Sequence, residues 1–199
     1  MHGKRFGALL TAGCILLSAL PLSAGAQEEA WDGQAADQSW YTDAAELHLD
    51  TAAELAGLAQ LVNAGTDFSG QTVYLDADVD LGGHDWTPIG QVTALAKDSI
   101  QGSAFAGIFD GQGHTVRGLS LKFAEGNLGY GLFGYSTGSI SDVSVASDGV
   151  IDLSGVTADL TPFGAIVGFN NGGTVSRCTS AARVTDDGTE TNTSRSLNV

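Results

Sequence analysis

Three short runs bring together side chains able to do chemistry. Asp76-Ala77-Asp78-Val79-Asp80 sets three carboxylates at alternate positions. Hard cations want several carboxylate oxygens, so Asp76, Asp78 and Asp80 are the candidate calcium ligands. The run is not an EF-hand loop: Leu81 stands where that loop needs Gly, and Thr87 where it needs Glu. Alternating carboxylates are also what the wet face of a strand looks like, and on that reading no cofactor is expected. The second run, Asp110-Gly111-Gln112-Gly113-His114 with Arg117 three residues on, joins an acid, a histidine and a base. Asp110, His114 and Arg117 are the candidate catalytic residues. Glycoside hydrolysis needs two carboxylates across the scissile bond, whereas the adjacent Asp186-Asp187 pair lies in the final segment. A turn whose glycines supply positive φ accounts for the same residues without catalysis. The third run, His84-Asp85-Trp86, lacks the spacing of a zinc-protease helix, and no HExxH occurs in the chain. Trp86 within Trp86-Thr87-Pro88-Ile89-Gly90 is the candidate binding residue: exposed, it would stack on a sugar ring; buried, it would fill a corner.

The charge balance narrows the partners. The chain has 199 residues, with 8 Lys and Arg against 23 Asp and Glu. Residues 1–26 read as a secretory signal peptide: basic Lys4-Arg5, an apolar run from Leu9 to Leu22, then the small-residue site Ala24-Gly25-Ala26. Cleavage is expected after Ala26. A rival lipoprotein box at Thr11-Ala12-Gly13-Cys14 has Thr11 where Leu is usual, and the apolar run continues past Cys14. Removing Lys4 and Arg5 leaves 6 basic residues against 23 acidic, a formal charge of −17. Phosphate-rich nucleic acid and anionic lipid surfaces are repelled by such a chain, and after signal removal no membrane insertion is expected. Cys178 then stands alone, which excludes an internal disulfide.

These residues must be held by something repetitive. Residues 27–39 are small and polar and read as a flexible leader, with order starting at Trp40-Tyr41. Residues 51–63 predict a helix. Thr51-x-x-Glu54 fits a capping box, Leu55, Leu58, Ala59, Leu61 and Val62 form one apolar face, and Gly65 suits the end. From Thr72 the period changes to two. Val73, Leu75, Ala77, Val79 and Leu81 share one face and the three aspartates the other. Further alternating stretches follow at 115–123, 139–145 and 174–179. They align as repeats: Ile108-Phe109-Asp110-Gly111 against Leu132-Phe133-Gly134-Tyr135 at an offset of 24, placing Val116 on Ile140. Ile166-Val167-Gly168-Phe169 matches Leu132-Phe133-Gly134-Tyr135, and Gly173-Thr174-Val175-Ser176 matches Gly138-Ser139-Ile140-Ser141. Cys178 takes the place of Val143, an inward position. Short strands repeating every 20–35 residues without intervening helices predict a solenoid of stacked parallel strands. The fold class expected is all-β, with the helix at 51–63 covering the N-terminal end of residues 40–184.

Several blocks together resemble bacterial secreted proteins that carry GLUG repeats. They are Leu55 to Gly70, Leu75-x-x-Asp78-Val79-Asp80-Leu81, Trp86-Thr87-Pro88-Ile89-Gly90 and Phe105 to Val116. Gly131-Leu132-Phe133-Gly134 and Gly164-Ala165-Ile166-Val167-Gly168 look like the repeats themselves. The resemblance covers residues 40–183. It implies a right-handed parallel β-helix, or β-solenoid, secreted or at the cell surface. Members usually continue through more repeats, whereas here the repeat stops near Val184. Residues 185–199 therefore read either as a polar tail or as a truncated end. The function expected is a non-catalytic structural, adhesive or glycan-contacting module, its partner an extracellular glycan or a cell-surface protein. The alternative is a polysaccharide lyase or hydrolase on the same fold.

Overall fold

A computed structural model describes residues 29–96, 99–123, 126–154 and 162–185. The expected signal peptide, most of the polar tail and residues 27 and 28 lie outside them. The elements are β1 (Glu46–Leu49), α1 (Ala52–Asn63), β2 (Thr72–Leu75), β3 (Val79–Asp80), β4 (Gln91–Ala96), β5 (Ser99–Ser103), β6 (Ile108–Asp110), β7 (Thr115–Arg117) and β8 (Ser120–Lys122). There follow β9 (Phe133–Ser136), β10 (Ser139–Ser141), β11 (Ser144–Val145), β12 (Val150–Asp152), β13 (Val167–Asn170), β14 (Thr174–Ser176), β15 (Thr179–Ser180) and β16 (Arg183–Thr185).

The strands stack as a parallel β-solenoid of about three turns. Each coil visits four faces in order. The first face is the sheet β1-β2-β6-β10-β14, the second β3-β7-β11-β15, the third β8-β12-β16 and the fourth β9-β13. The earlier coil reaches the third and fourth faces through single bridges, Asp85 to Ser120 and Ile89 to Phe133. The β4–β5 hairpin is antiparallel and interrupts that coil between Ile89 and Phe105.

Register shows how the coils bury their inner rows. Val73 pairs with Phe109, Phe109 with Ile140 and Ile140 with Val175, giving one apolar ladder on the first face. Val79, Val116 and Val145 form the second, and Leu121, Ile151 and Val184 the third. Phe68, Phe105, Phe133 and Phe109 are almost fully buried and touch in sequence, ring centroids 5.0–5.9 Å apart. Ser136 is a buried polar residue in this core. Its hydroxyl donates to the Phe105 carbonyl and accepts from the Gly138 amide, so burial leaves it paired.

The pairing corrects the 24-residue alignment. Phe109 lies on Ile140, 31 residues on, and Val116 on Val145, 29 residues on. The stretch Leu132–Tyr135 belongs to the fourth face, not the first. The alignment failed because both faces carry a buried Phe, Phe109 on the first and Phe133 on the fourth, and the pattern of apolar residues alone does not label faces. The later matches are those of the structure: Val167 pairs with Phe133 and Val175 with Ile140. Cys178 follows Val143 in the next coil and packs partly buried against the core.

Two glycine columns explain the repeat motif. Gly90, Gly134 and Gly168 follow the paired positions Ile89, Phe133 and Val167. A Cβ on Gly134 would meet the Gly129 carbonyl and Pro88 Cβ, both at 2.8 Å, besides the Gly90 carbonyl; one on Gly168 would overlap Tyr130 backbone. Gly107, Gly138 and Gly173 form the second column, each with the backbone of the preceding coil where a Cβ would go. These glycines are required by close approach of coils.

The helix forms as expected and packs into the core that it shares with the first coils. Thr51 Oγ1 accepts from the Glu54 amide at 3.2 Å and Glu54 Oε2 accepts from the Thr51 amide at 2.9 Å. Leu55, Leu58, Ala59 and Val62 are buried in the common core. The leader differs from expectation. Residues 29–39 are packed onto the fold rather than free: the Trp31 amide donates to the Asp80 carbonyl, the Asp37 amide to the Ala53 carbonyl, and the Trp31 ring meets Trp86 edge-on at 5.8 Å. Composition misled because few apolar residues are needed when one Trp supplies a large contact area.

Candidate functional site

The chemistry-bearing residues collect where the chain turns from the first face to the second. In β2–β3 this turn is Asp76-Ala77-Asp78; in the next coil it is Gly111–His114; then Asp142; then Arg177. The non-glycine residues Gln112, Asp142 and Arg177 adopt φ of 50°, 56° and 53° here. This left-handed step bends the strand path through the corner. It also points the corner side chains toward the neighbouring coil.

The three aspartates of the candidate calcium set go to different partners. Asp76 Oδ2 faces Nδ1 of His48 at 2.7 Å, in the preceding coil, and Asp76 Oδ1 accepts from Gln112 Nε2 of the following coil. Asp78 Oδ1 accepts from the Thr115 amide at 2.9 Å and faces His114 Nδ1 at 3.1 Å, while Arg117 lies 3.9 Å from Oδ2. Asp80 accepts from the Gly82 amide at 2.8 Å and shapes its own turn. Among the described residues no three His, Cys, Asp or Glu side chains converge as a cation-ligand set.

The candidate catalytic trio is rearranged. His114 and Arg117 gather on Asp78, not on Asp110. Asp110 accepts from the Gln112 amide at 2.9 Å and so closes the tight turn. The Thr115 amide, then His114 and Arg117, hold the Asp78 carboxyl below its ordinary value despite slight burial. An Asp fixed in its ionised form is a poor general acid, and its geometry is that of a latch between coils. The same device recurs at Asp142, where Arg177 Nε and Nη2 each donate at 2.6 Å and lower the carboxyl's pKa. Lys122 and Asp85 form a third latch at 2.6 Å.

Trp86 is corrected as a binding residue. It is 5% exposed, its Nε1 donates to the Leu132 carbonyl at 3.1 Å, and it therefore fills a corner and offers no ring face to a ligand. An outward ring pair lies elsewhere. His48 and Tyr74 stack on the outside of the first face, centroids 5.1 Å apart at an interplanar angle of 21°. Sequence reasoning missed this pair because 26 residues separate its members. Only the β1–β2 register, His48 on Tyr74, brings them together.

The latches have a pH signature. A carboxyl whose folded pKa is depressed contributes stability that is full above its unfolded value and lost as pH falls through the folded one. For Asp78 and Asp142 the ordinary value is 3.8. The thermal midpoint is thus expected to hold from neutral pH down to that region and to fall below it. Asp78→Asn keeps an oxygen for Thr115 but loses the charge. After solvent screening it is expected to cost about 1 kcal/mol or less at pH 7, and to flatten the acid limb. Parallel melts at pH 7 and pH 3 check this: an unchanged acid limb in the variant would show that Asp78 is not part of it.

No helix among the described residues is long and apolar enough to cross a membrane. Comparison with protein-family models, with curated proteins and with solved structures finds no match.

Proposed function

We propose that this chain is a non-catalytic, extracellular β-solenoid that serves as a structural and adhesive module and contacts glycans through its first face. The supporting observation is the outer surface of the sheet β1-β2-β6-β10-β14. Its outward residues are His48, Tyr74, Asp110, Ser141 and Ser176 in one row, and Glu46, Thr72, Ile108, Ser139 and Thr174 in the next. Five strands span about 19 Å at the usual strand spacing. An aromatic platform at one end and hydroxyls at the other suit an extended sugar chain, the ring giving apolar contact and the Ser and Thr hydroxyls giving hydrogen bonds. The acidic charge disfavours uronic acids and sulfated sugars, so the glycan is neutral or amino-bearing. The GLUG-like blocks and the signal-like residues 1–26 support placement outside a bacterial cell.

A glycan array with the exported protein tests the reading. Binding to neutral or amino-sugar oligomers is expected, with Tyr74→Ala weakening it at least about tenfold while leaving the melt intact. The exported form should begin at Gln27 by mass spectrometry. No glycan bound by the folded wild type would defeat the glycan reading. Sugar cleavage that Asp110→Ala abolishes would replace it with the enzyme.

A further inference from the structure

We infer that Tyr74, Ile108 and Asp110 form a subsite for one sugar ring carrying a free ammonium group, so that the glycan is a cationic amino-sugar polymer rather than a neutral one. The subsite rests on the glycan reading above and fixes the sugar class that reading leaves open. His48 on β1 and Tyr74 on β2 stack on the outside of the first face. His48 Nδ1 faces Asp76 Oδ2 at 2.7 Å, which holds the histidine ring against one face of Tyr74. Because β2 lies between β1 and β6 in the sheet, the free face of Tyr74 turns toward β6. Asp110 stands on β6 directly beside Tyr74. Ile108 stands on the same outward side of that strand, two residues earlier. At 49% it is the most exposed large apolar side chain among the described residues.

Ring face, apolar side chain and carboxylate converge on one kind of ligand. A sugar ring laid on the free face of Tyr74 sits over β6, about 4.8 Å further along the sheet. Its C–H face covers the phenol ring, and its edge comes down on Ile108 and Asp110. Covering Ile108 with C–H groups removes apolar surface from water. Asp110 gives Oδ1 to the Gln112 amide at 2.9 Å, and among the described residues no hydrogen bond reaches Oδ2. An ammonium group there makes a charge-assisted hydrogen bond, and the Tyr74 ring adds cation–π attraction. Arg177 lies within electrostatic reach of Asp110 but is held by Asp142 through two contacts of 2.6 Å, so it leaves Asp110 to the ligand. Past β6 the outward row continues as Ser141 and Ser176, hydroxyls for the next sugar units. The formal charge of −17 draws a cationic polymer toward this surface. A lysine-rich peptide also brings ammonium groups, but its flexible stem has no flat face to lay on Tyr74.

Isothermal titration of the purified chain with oligomers of glucosamine, N-acetylglucosamine and lysine tests the subsite, at about pH 6 where the amines are protonated. The glucosamine oligomer is expected to bind about tenfold tighter than the acetylated one. That margin needs no variant, and it should shrink as salt rises to ~0.5 M. Asp110→Asn keeps an oxygen for the Gln112 amide and should bring the two sugars within about twofold, with unchanged circular dichroism. Glu29→Gln removes the same charge beside β3, away from the first face, and should keep the tenfold margin. Equal binding of both sugars by the wild type, or a margin that survives Asp110→Asn, overturns the subsite and leaves the glycan reading standing. A margin that Glu29→Gln also removes overturns it by reducing the preference to general attraction. A lysine oligomer that binds as tightly as glucosamine, and is lost in Asp110→Asn, overturns it by assigning the site to a basic peptide. Binding of neither sugar defeats both readings together.

Discussion

Gly134→Ala is expected to lower the thermal midpoint by roughly 10 °C, a loss of about 3 kcal/mol in a chain of this size. The added methyl would sit 2.8 Å from both the Gly129 carbonyl and Pro88 Cβ. Two of its three nearest neighbours are backbone oxygens on the coil path, so no side-chain rotation relieves the contact. Relief requires the fourth face to move, and that face carries the stacking of Ile89, Phe133 and Val167. Gly113→Ala makes the matching control. Gly113 has φ of 86° with nothing within 4 Å of a built Cβ, so it bears only the conformational penalty of about 1–2 kcal/mol. Differential scanning calorimetry of the two variants separates lack of space from backbone strain. If Gly134→Ala melts no lower than Gly113→Ala, close approach is not what holds the glycine column.

Phe109→Ala is expected to cost about 3–5 kcal/mol, by loss of transfer energy and creation of a cavity. Phe109 is fully buried, lies between Val73 and Ile140 in the first ladder, and meets Phe133 edge-on at 5.0 Å. Its position in a middle coil aggravates the loss. In a solenoid each coil is stabilised mainly by its neighbours, so a weak rung uncouples the stack on either side. The adjacent residue gives the contrast. Ile108 is 49% exposed on the outer side of the same strand, and Ile108→Ala should change stability by no more than about 0.5 kcal/mol. Urea unfolding of both variants decides it. Equal losses would mean that the alternation assigned to β6 is wrong.

The periodic features were legible in the residues. Val73, Leu75, Val79 and Leu81 on one side and aspartates on the other predict an inward and an outward row, and the structure has them, bent around a corner at Asp76–Asp78. The capping box at Thr51 and Glu54 is likewise local, needing only a three-residue separation, and it forms as read. What misled was similarity without face labels. Phe109 and Phe133 each precede a turn-prone stretch, and the match between them assigned one face's residues to another. The candidate site suffered from the same cause. Asp110 and His114 are close in sequence, yet His114 reaches back 36 residues to Asp78.

The chain's composition and periodicity were enough to predict short strands with one inward row, an acidic balance and one capping-box helix, because each depends on contacts within a dozen residues or on sums over the whole chain. Coil length and partner choice needed the folded state. Spacings along the first face run 36, 31 and 35 residues, since the β4–β5 hairpin and loops of unequal size are inserted between faces. Only closure of each coil onto the one below fixes which corner residue meets which. That closure split three carboxylates with the look of a cation site, turning Asp76 and Asp78 into separate latches to His48, Gln112, His114 and Arg117 and leaving Asp80 to shape its own turn, and it buried Trp86 while stacking the rings of His48 and Tyr74 on the outside.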